Sequence, residues 1–294
     1  LPLKVLGSDF GSTGLITVPS ARMMTDGDLS TTIARTDVVD IYNISFQVMP
    51  RIEATFRYSV FDPRRKGSQA KDLNRDRSYE VKLKLIEEDQ YLPAVAVGAR
   101  DLLGTGVWSG EYVVASKRIF NFDATLGVGW GRFADRGGFR NPLRILSEGF
   151  ERRPTGAVGG VVGGELRLDS FFRGDMGVFG GLSYALPELP ITAQLQFNSD
   201  AYKREVRLGT LVRSNPWSIG FNWDITPAVR LGVSYQQQEY LGLTLRSKIN
   251  FKQPPKRKFD SFYSVVDESG RKQAPSWLDL DAWYDTLLFD AERS

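Results

Sequence analysis

Apolar and polar residues alternate with period two over much of this chain, the spacing of a β-strand with one apolar and one polar face. Tyr42, Ile44, Phe46 and Val48 alternate with Asn43, Ser45 and Gln47, and Ile52, Ala54, Phe56, Tyr58 and Val60 with Glu53, Thr55, Arg57 and Ser59. Further runs set Tyr79, Val81, Leu83 and Leu85 against Glu80, Lys82 and Lys84, and Phe122, Ala124, Leu126, Val128 and Trp130 against Asp123, Thr125, Gly127 and Gly129. In the second half Met176, Val178, Leu182 and Tyr184 share a face. The runs 191–198, 217–224, 229–235 and 241–246 alternate in the same way, and 29–35, 94–101 and 111–116 do so more weakly. The count is about twelve strands, an even number in the range of single-chain outer-membrane barrels.

The connections carry a second signal. Short links at 49–51, 88–92, 117–120, 187–190 and 226–227 alternate with longer ones at 61–77, 101–110, 131–174 and 199–216. The links near 36–41 and 236–239 are short for outer loops. Outer-membrane barrels have short periplasmic turns and long outer loops, so this rhythm predicts both termini in the periplasm. Tyr42, Tyr58, Tyr79, Tyr91, Tyr112, Trp130, Tyr184, Trp217, Trp223, Tyr235 and Tyr240 fall near strand ends, where an interfacial girdle lies. Alternation alone does not separate this barrel from a water-soluble sandwich with the same faces turned the other way. Several strands run to about nine or ten residues, the length a tilted membrane strand needs. The Gly- and Ser-rich polar face also suits a lumen. The expected fold is therefore an all-β, antiparallel up-and-down transmembrane β-barrel, preceded by a periplasmic or plug-like segment over 1–27, spanning 28–251, and followed by a linker and tail over 252–294.

Composition sharpens this. No stretch approaches the roughly 18 apolar residues of a membrane helix, and charged residues make up 25% of the chain. There are no cysteines and no histidines, which removes disulfides, thiolate chemistry and the usual base of a serine hydrolase. The net charge of +3 is too small to argue for nucleic acid. The Gly-rich stretch 156–164 lacks the Gly-Lys-Ser/Thr ending of a phosphate-binding loop. No catalytic, cofactor or metal site is expected. An enzyme built on this chain would have to rest on carboxylates such as Asp123 or Asp224.

The inward-facing charges expected are Glu53, Arg57, Glu80, Lys82, Lys84, Asp123, Asp224, Arg230 and Arg246, pairing across the lumen. Arg132, Arg140 and Arg144 belong to a long Arg-rich loop, and guanidinium forks suit sugar carboxylates. Arg57, Lys82, Lys84, Arg132, Arg140, Arg144, Arg230 and Arg246 are thus the candidate polysaccharide contacts. The stretch 141–153 is compatible with a short helix folded into the lumen, and equally with a solvated loop. After Phe251 a basic, Pro-rich run reads as a linker, and 276–289 has helical spacing with Ser276 as N-cap.

The segment from Gly11 to Arg22 (GSTGLITVPSAR), continuing through Asp26-Gly27-Asp28, is similar to the opening of the YjbH/GfcD-like exopolysaccharide (group 4 capsule) biosynthesis proteins of the outer membrane. The stretches 42–61, 76–87, 94–109 and 111–131 add to the resemblance, which runs from about Gly7 to the tail. It implies a non-catalytic barrel for exopolysaccharide or capsule export or assembly, with a general porin-like diffusion channel as the alternative. The partners it implies are outer-membrane lipid and lipopolysaccharide, the exopolysaccharide chain, and periplasmic or lipoprotein components of the same system. Relatives of about twice this length imply that the chain is a fragment of a two-barrel protein. From its residues alone, 7–22 is a turn-rich loop that tucks under or into the barrel.

Overall fold

The computed structural model describes residues 5–37, 39–61, 74–103, 106–154, 170–203, 206, 215–237 and 239–252. Within them lie β1 (Asp28–Thr36), β2 (Val39–Met49), β3 (Ile52–Phe61), β4 (Asn74–Ile86), β5 (Ala94–Arg100) and β6 (Gly110–Ile119). The remaining strands are β7 (Phe122–Gly129), β8 (Gly177–Ala185), β9 (Ile191–Phe197), β10 (Trp217–Asp224), β11 (Val229–Gln236) and β12 (Tyr240–Asn250). Each strand pairs antiparallel with its sequence neighbour, and β1 pairs with β12 to close the barrel. Closure leaves no strand edge unpaired, as a hydrocarbon surrounding requires. Expected and observed strands agree, including the three weak candidates, which are β1, β5 and β6.

The apolar face points outward. Ile44, Leu126, Phe221 and Leu243 are 51–64% exposed, whereas Arg57, Lys82, Glu80 and Gln196 are exposed by 2% or less. A water-soluble barrel would bury the first set and solvate the second. This inversion fits a wall surrounded by lipid and places the chain in the outer membrane. Most of the expected girdle aromatics lie outside. At one end Tyr42 pairs with Tyr58 and Trp217 packs edge-on to Phe197; at the other Phe122 packs on Tyr184. Tyr112 and Tyr240 are corrections, since both turn inward and are buried. Trp130 is outward but covered by Phe172, and Met176 is buried in a bridge to Phe139.

The inward aromatics have a local cause. Gly98 is the cross-strand partner of Tyr112, and Gly127 that of Phe179. A Cβ on Gly98 would stand 2.3 Å from the Tyr112 hydroxyl, and one on Gly127 2.3 Å from Phe179 Cζ. Each ring lies across the bare backbone of its partner, so these glycines serve close packing inside the lumen.

The connections 50–51, 87–93, 120–121, 186–190 and 225–228 gather at one end of the barrel together with the start of β1 and the end of β12. The ends of β1, β3, β5, β7, β9 and β11, and the starts of β2, β4, β6, β8, β10 and β12, lie at the other, where the longer connections begin and end. In the 130–176 connection, 3₁₀ turns form at Gly131–Ala134, Pro142–Ile145 and Glu148–Phe150. The last two bury no residue, so of the two readings of 141–153 the loop outside the lumen holds; Phe133 of the first turn is buried. The expected linker and helix of the tail lie outside the described residues.

Candidate functional site: a lumen filled by the N-terminal segment

Residues 5–27 contain no helix or strand, yet nearly all are buried. They fold as a double loop held by two isolated bridges, Gly7 to Thr13 and Gly14 to Pro19, with Asp9 N–H donating to Ile16 O at 2.8 Å. Small Gly, Ser and Thr residues let this loop approach the wall. Gly11 has φ +91°, and a Cβ there would be 2.5 Å from Asn43 Cβ. Such a segment leaves many backbone groups without internal partners, and buried polar groups demand them. The lumen wall supplies them.

On the side formed by β3, β4 and β5 the partners are ionised. Arg57 donates to Phe10 O through Nε at 3.1 Å and Nη2 at 2.7 Å, while Nη2 also reaches Glu80 Oε2 at 2.7 Å. Arg100 donates to Thr17 O at 3.1 Å and to Glu80 at 3.1 Å. Lys82 donates to Thr13 O at 3.1 Å, and Glu53 accepts from Thr13 N–H at 2.7 Å. The Phe10 ring lies beneath both guanidiniums, 4.7 Å from each, a cation–π arrangement. Glu80 is thereby shared by two arginines and the Tyr112 hydroxyl at 2.9 Å.

Across the lumen the partners are amides and hydroxyls. Gln196 Oε1 accepts from Thr17 N–H at 2.7 Å and Val18 N–H at 3.0 Å. The Asp9 carboxylate accepts from Gln236 and from Thr244, each at 2.6 Å. At the short-turn end Arg22 grips Asp123 through Nε at 2.9 Å and Nη2 at 2.8 Å, and also binds Glu88.

The expected pairing of charges across the lumen is corrected to lateral pairing between adjacent strands. Glu53 and Lys82, Glu80 and Arg100, and Asp224 and Arg230 are register partners, with ion-pair distances of 3.2, 3.1 and 2.6 Å. Asp123 instead pairs with Arg22 of the segment, and Lys84 with Glu87 three residues along.

Of the candidate contacts, Arg57, Lys82, Arg230 and Arg246 are thus engaged with the segment, Arg230 through Val5 O at 2.9 Å and Arg246 through Ser8 O and Gly11 O at 3.1 and 3.0 Å. Lys84 pairs with Glu87 at 2.8 Å beside a short turn. Arg132 closes the opposite end: it binds Asp200 at 2.7 Å and lies over the rings of Trp108 and Tyr202 at 4.5 and 5.0 Å. Phe133 packs beside it on Phe179 at 4.7 Å. Arg140 and Arg144 are exposed on the long loop. The structure does not gather these eight cations into one site.

Sequence reasoning passes over Arg22, Asp9 and Arg100, and places Gln196 on the polar face without giving it a role. Arg100 continues the inward series Ala94, Ala96, Gly98, so parity finds it too. At the end of β5, burial of Asp101, with the neighbouring Asp76 carboxylate adding to it, raises its pKa to about 6.

The segment that fills the lumen is the same stretch that carries the family resemblance. The model of the YjbH family, described as exopolysaccharide biosynthesis protein, matches residues 7–287. The chain belongs to the YjbH exopolysaccharide biosynthesis family. A relative, the uncharacterized lipoprotein YjbH of Escherichia coli K12, is 33% identical over 261 residues, covering 86% of this chain and 36% of that protein. The chain thus spans about a third of the length of this YjbH relative. Among solved structures it is similar to the KdgM porin, with 8% identity, a TM-score of 0.39, and 76% of this chain and 99% of that one covered. For the NanC porin the values are 11%, 0.37, 77% and 99%.

Proposed function

We propose that this YjbH-family barrel serves export or assembly of exopolysaccharide at the outer membrane, without catalysis, and that its lumen is closed at rest by residues 5–27. The observation that carries the closed state is the burial of that segment together with its bonds to both sides of the wall. A porin-like diffusion channel is less well supported, since the charges that would line its path are spent on backbone groups of the segment. Family membership supports the polysaccharide role. The carboxylates open to catalysis, Asp123 and Asp224, are each bound to an arginine, which supports a non-catalytic reading. The short turns and both barrel ends share one face, so we assign that face and the termini to the periplasm, and the long loops to the outside.

The test combines genetics and orientation. Deleting the gene is expected to reduce surface polysaccharide, and protease added to whole cells should cut within 130–176 while sparing the barrel ends. Unchanged polysaccharide in the deletion strain would overturn the export role. Cleavage only in opened cells would reverse the orientation.

A further inference from the structure

At the short-turn mouth, a cavity of about 250 Å³ lies between the N-terminal segment, the 225–228 turn and strands β1, β11 and β12. Three cations, Arg230, Arg246 and Lys248, and two carboxylates, Asp28 and Asp224, line it. Both carboxylates are engaged: Asp224 with Arg230 at 2.6 Å, and Asp28 with Lys248 at 3.2 Å and Asn250 at 2.7 Å. Arg246 touches neutral acceptors, Thr32 Oγ1 at 3.0 Å and the carbonyls of Ser8 and Gly11. On its far side Glu53 is paired with Lys82, while Asp9 is held by the neutral donors Gln236 and Thr244 and lies outside the cavity lining. Among the described residues, then, the lining itself sets three cations against two carboxylates, in a confined mouth where charge acts strongly.

The rest of the lining is hydroxyl-rich. Ser30 is buried, and its hydroxyl has no hydrogen-bond partner. Thr13, Thr25 and Thr226 stand around it. Farther in, a gap of about 20 Å³ separates the segment from Gln194, Gly220, Asn222 and Ser234. The segment is thus bonded firmly along β3–β5, while both spaces open along strands that include β11 and β12. A singly charged, hydroxyl-bearing group suits this lining, and the volume, just below the usual range for drug-sized ligands, has room for one sugar ring.

We propose that this mouth binds a carboxylated sugar unit, with the carboxylate at Arg246 and Lys248 and the hydroxyls toward Ser30 and the threonines. The proposal rests on the polysaccharide reading and adds an acidic substrate class and an entry point to it.

The test is calorimetric titration of the purified full chain in detergent with glucuronate, glucose and inorganic phosphate. Glucuronate should bind saturably, glucose should not, and phosphate should bind more weakly than glucuronate. Lys248→Gln, which removes one of the three cations, is expected to weaken glucuronate about tenfold. Ala228→Trp, at an exposed turn position, should fill the cavity and abolish binding while the protein keeps its heat-modifiable mobility on gels. The proposal is overturned if glucuronate gives no binding, if Ala228→Trp binds it as the wild type does, if glucose equals glucuronate, or if phosphate binds as tightly. A protein whose gene deletion lowers surface polysaccharide but which fails to bind glucuronate loses this site alone. An unchanged deletion phenotype removes the export role whatever the titration shows.

Discussion

Strands β3–β5 and strands β9–β11 stand on opposite sides of one lumen and hold the same N-terminal segment, but with different chemistry. The first side offers Glu53, Arg57, Glu80, Lys82 and Arg100, every one buried. The second holds it chiefly through the buried amides of Gln196 and Gln236, with Arg230 reaching Val5 O at the short-turn end. An ionised group bonded to a backbone carbonyl gains more than a neutral one, and loses far more when its partner is removed. A buried ion pair adds little net stability over a well-packed apolar pair, yet breaking one is strongly destabilising. The densely charged side therefore does most to fix where the segment sits, with Arg230 and Arg246 adding cationic contacts near the short-turn mouth. The amide side completes its hydrogen bonds and can exchange them for those of water or sugar hydroxyls at small loss. Both cavities are walled by strands outside β3–β5, the smaller among amides and hydroxyls and the larger beside Arg230, Arg246 and Lys248.

The comparison is broken most directly by removing what both sides hold. Deleting residues 5–25 should turn a barrel that is silent in planar bilayers into one with steady conductance. The open pore should favour neither ion sign strongly, because Glu53, Glu80, Arg57, Lys82 and Arg100 would line it together. Silence after the deletion would mean that other parts of the chain close the lumen, and that the segment is a passenger.

A smaller effect separates the two sides from each other. Arg57→Ala leaves Phe10 O without its donor and Glu80 with one arginine fewer, and should lower stability by about 3–5 kcal/mol. Gln196→Ala removes neutral bonds to Thr17 and Val18, and should lower it by about 1–3 kcal/mol. Thermal unfolding in detergent, followed by heat-modifiable mobility, gives the ranking. Equal losses would erase the distinction between the sides.

Much of the barrel is legible in the sequence because period two is imposed on every strand by the same demand, lipid on one side and lumen on the other. Ile44 and Asn43, or Leu243 and Thr244, declare their faces by themselves. Which face is inside is not declared by alternation, and strand length and turn rhythm had to decide it. Pairing of charges was expected, but its direction was not, since register is a property of two strands and not of one. Glu53 and Lys82 become neighbours only when β3 and β4 are aligned. The inward Tyr112 and Phe179 were missed for a related reason: each depends on a glycine in the adjacent strand. Least legible is the hold on residues 5–27. Arg57, Arg100 and Arg246 bind carbonyls there, and a carbonyl leaves no mark in a sequence.

The finest test concerns where the charged side meets the outer loops. Asp101 lies just beyond β5 with φ +61° and accepts from the Trp108 N–H at 3.0 Å. Burial, aided by Asp76, raises its pKa from the ordinary 3.8 to about 6. A buried acid with a raised pKa binds its proton more readily in the folded state than in the unfolded one. Between pH 4 and 6, then, the folded protein holds more of that proton, and stability from this group falls as pH rises through the window. Above it, the ionised carboxylate destabilises by an amount on the order of 2–3 kcal/mol. Asp101→Asn removes the charge, keeps an acceptor for Trp108, and tolerates the left-handed backbone as few other residues do. The variant should melt higher than the parent at pH 7.5, equal it near pH 4, and show a flatter profile between. A variant that melts lower at pH 7.5 would show that the Asp101 charge supports the loop, and would extend the charged side of the barrel beyond the end of β5.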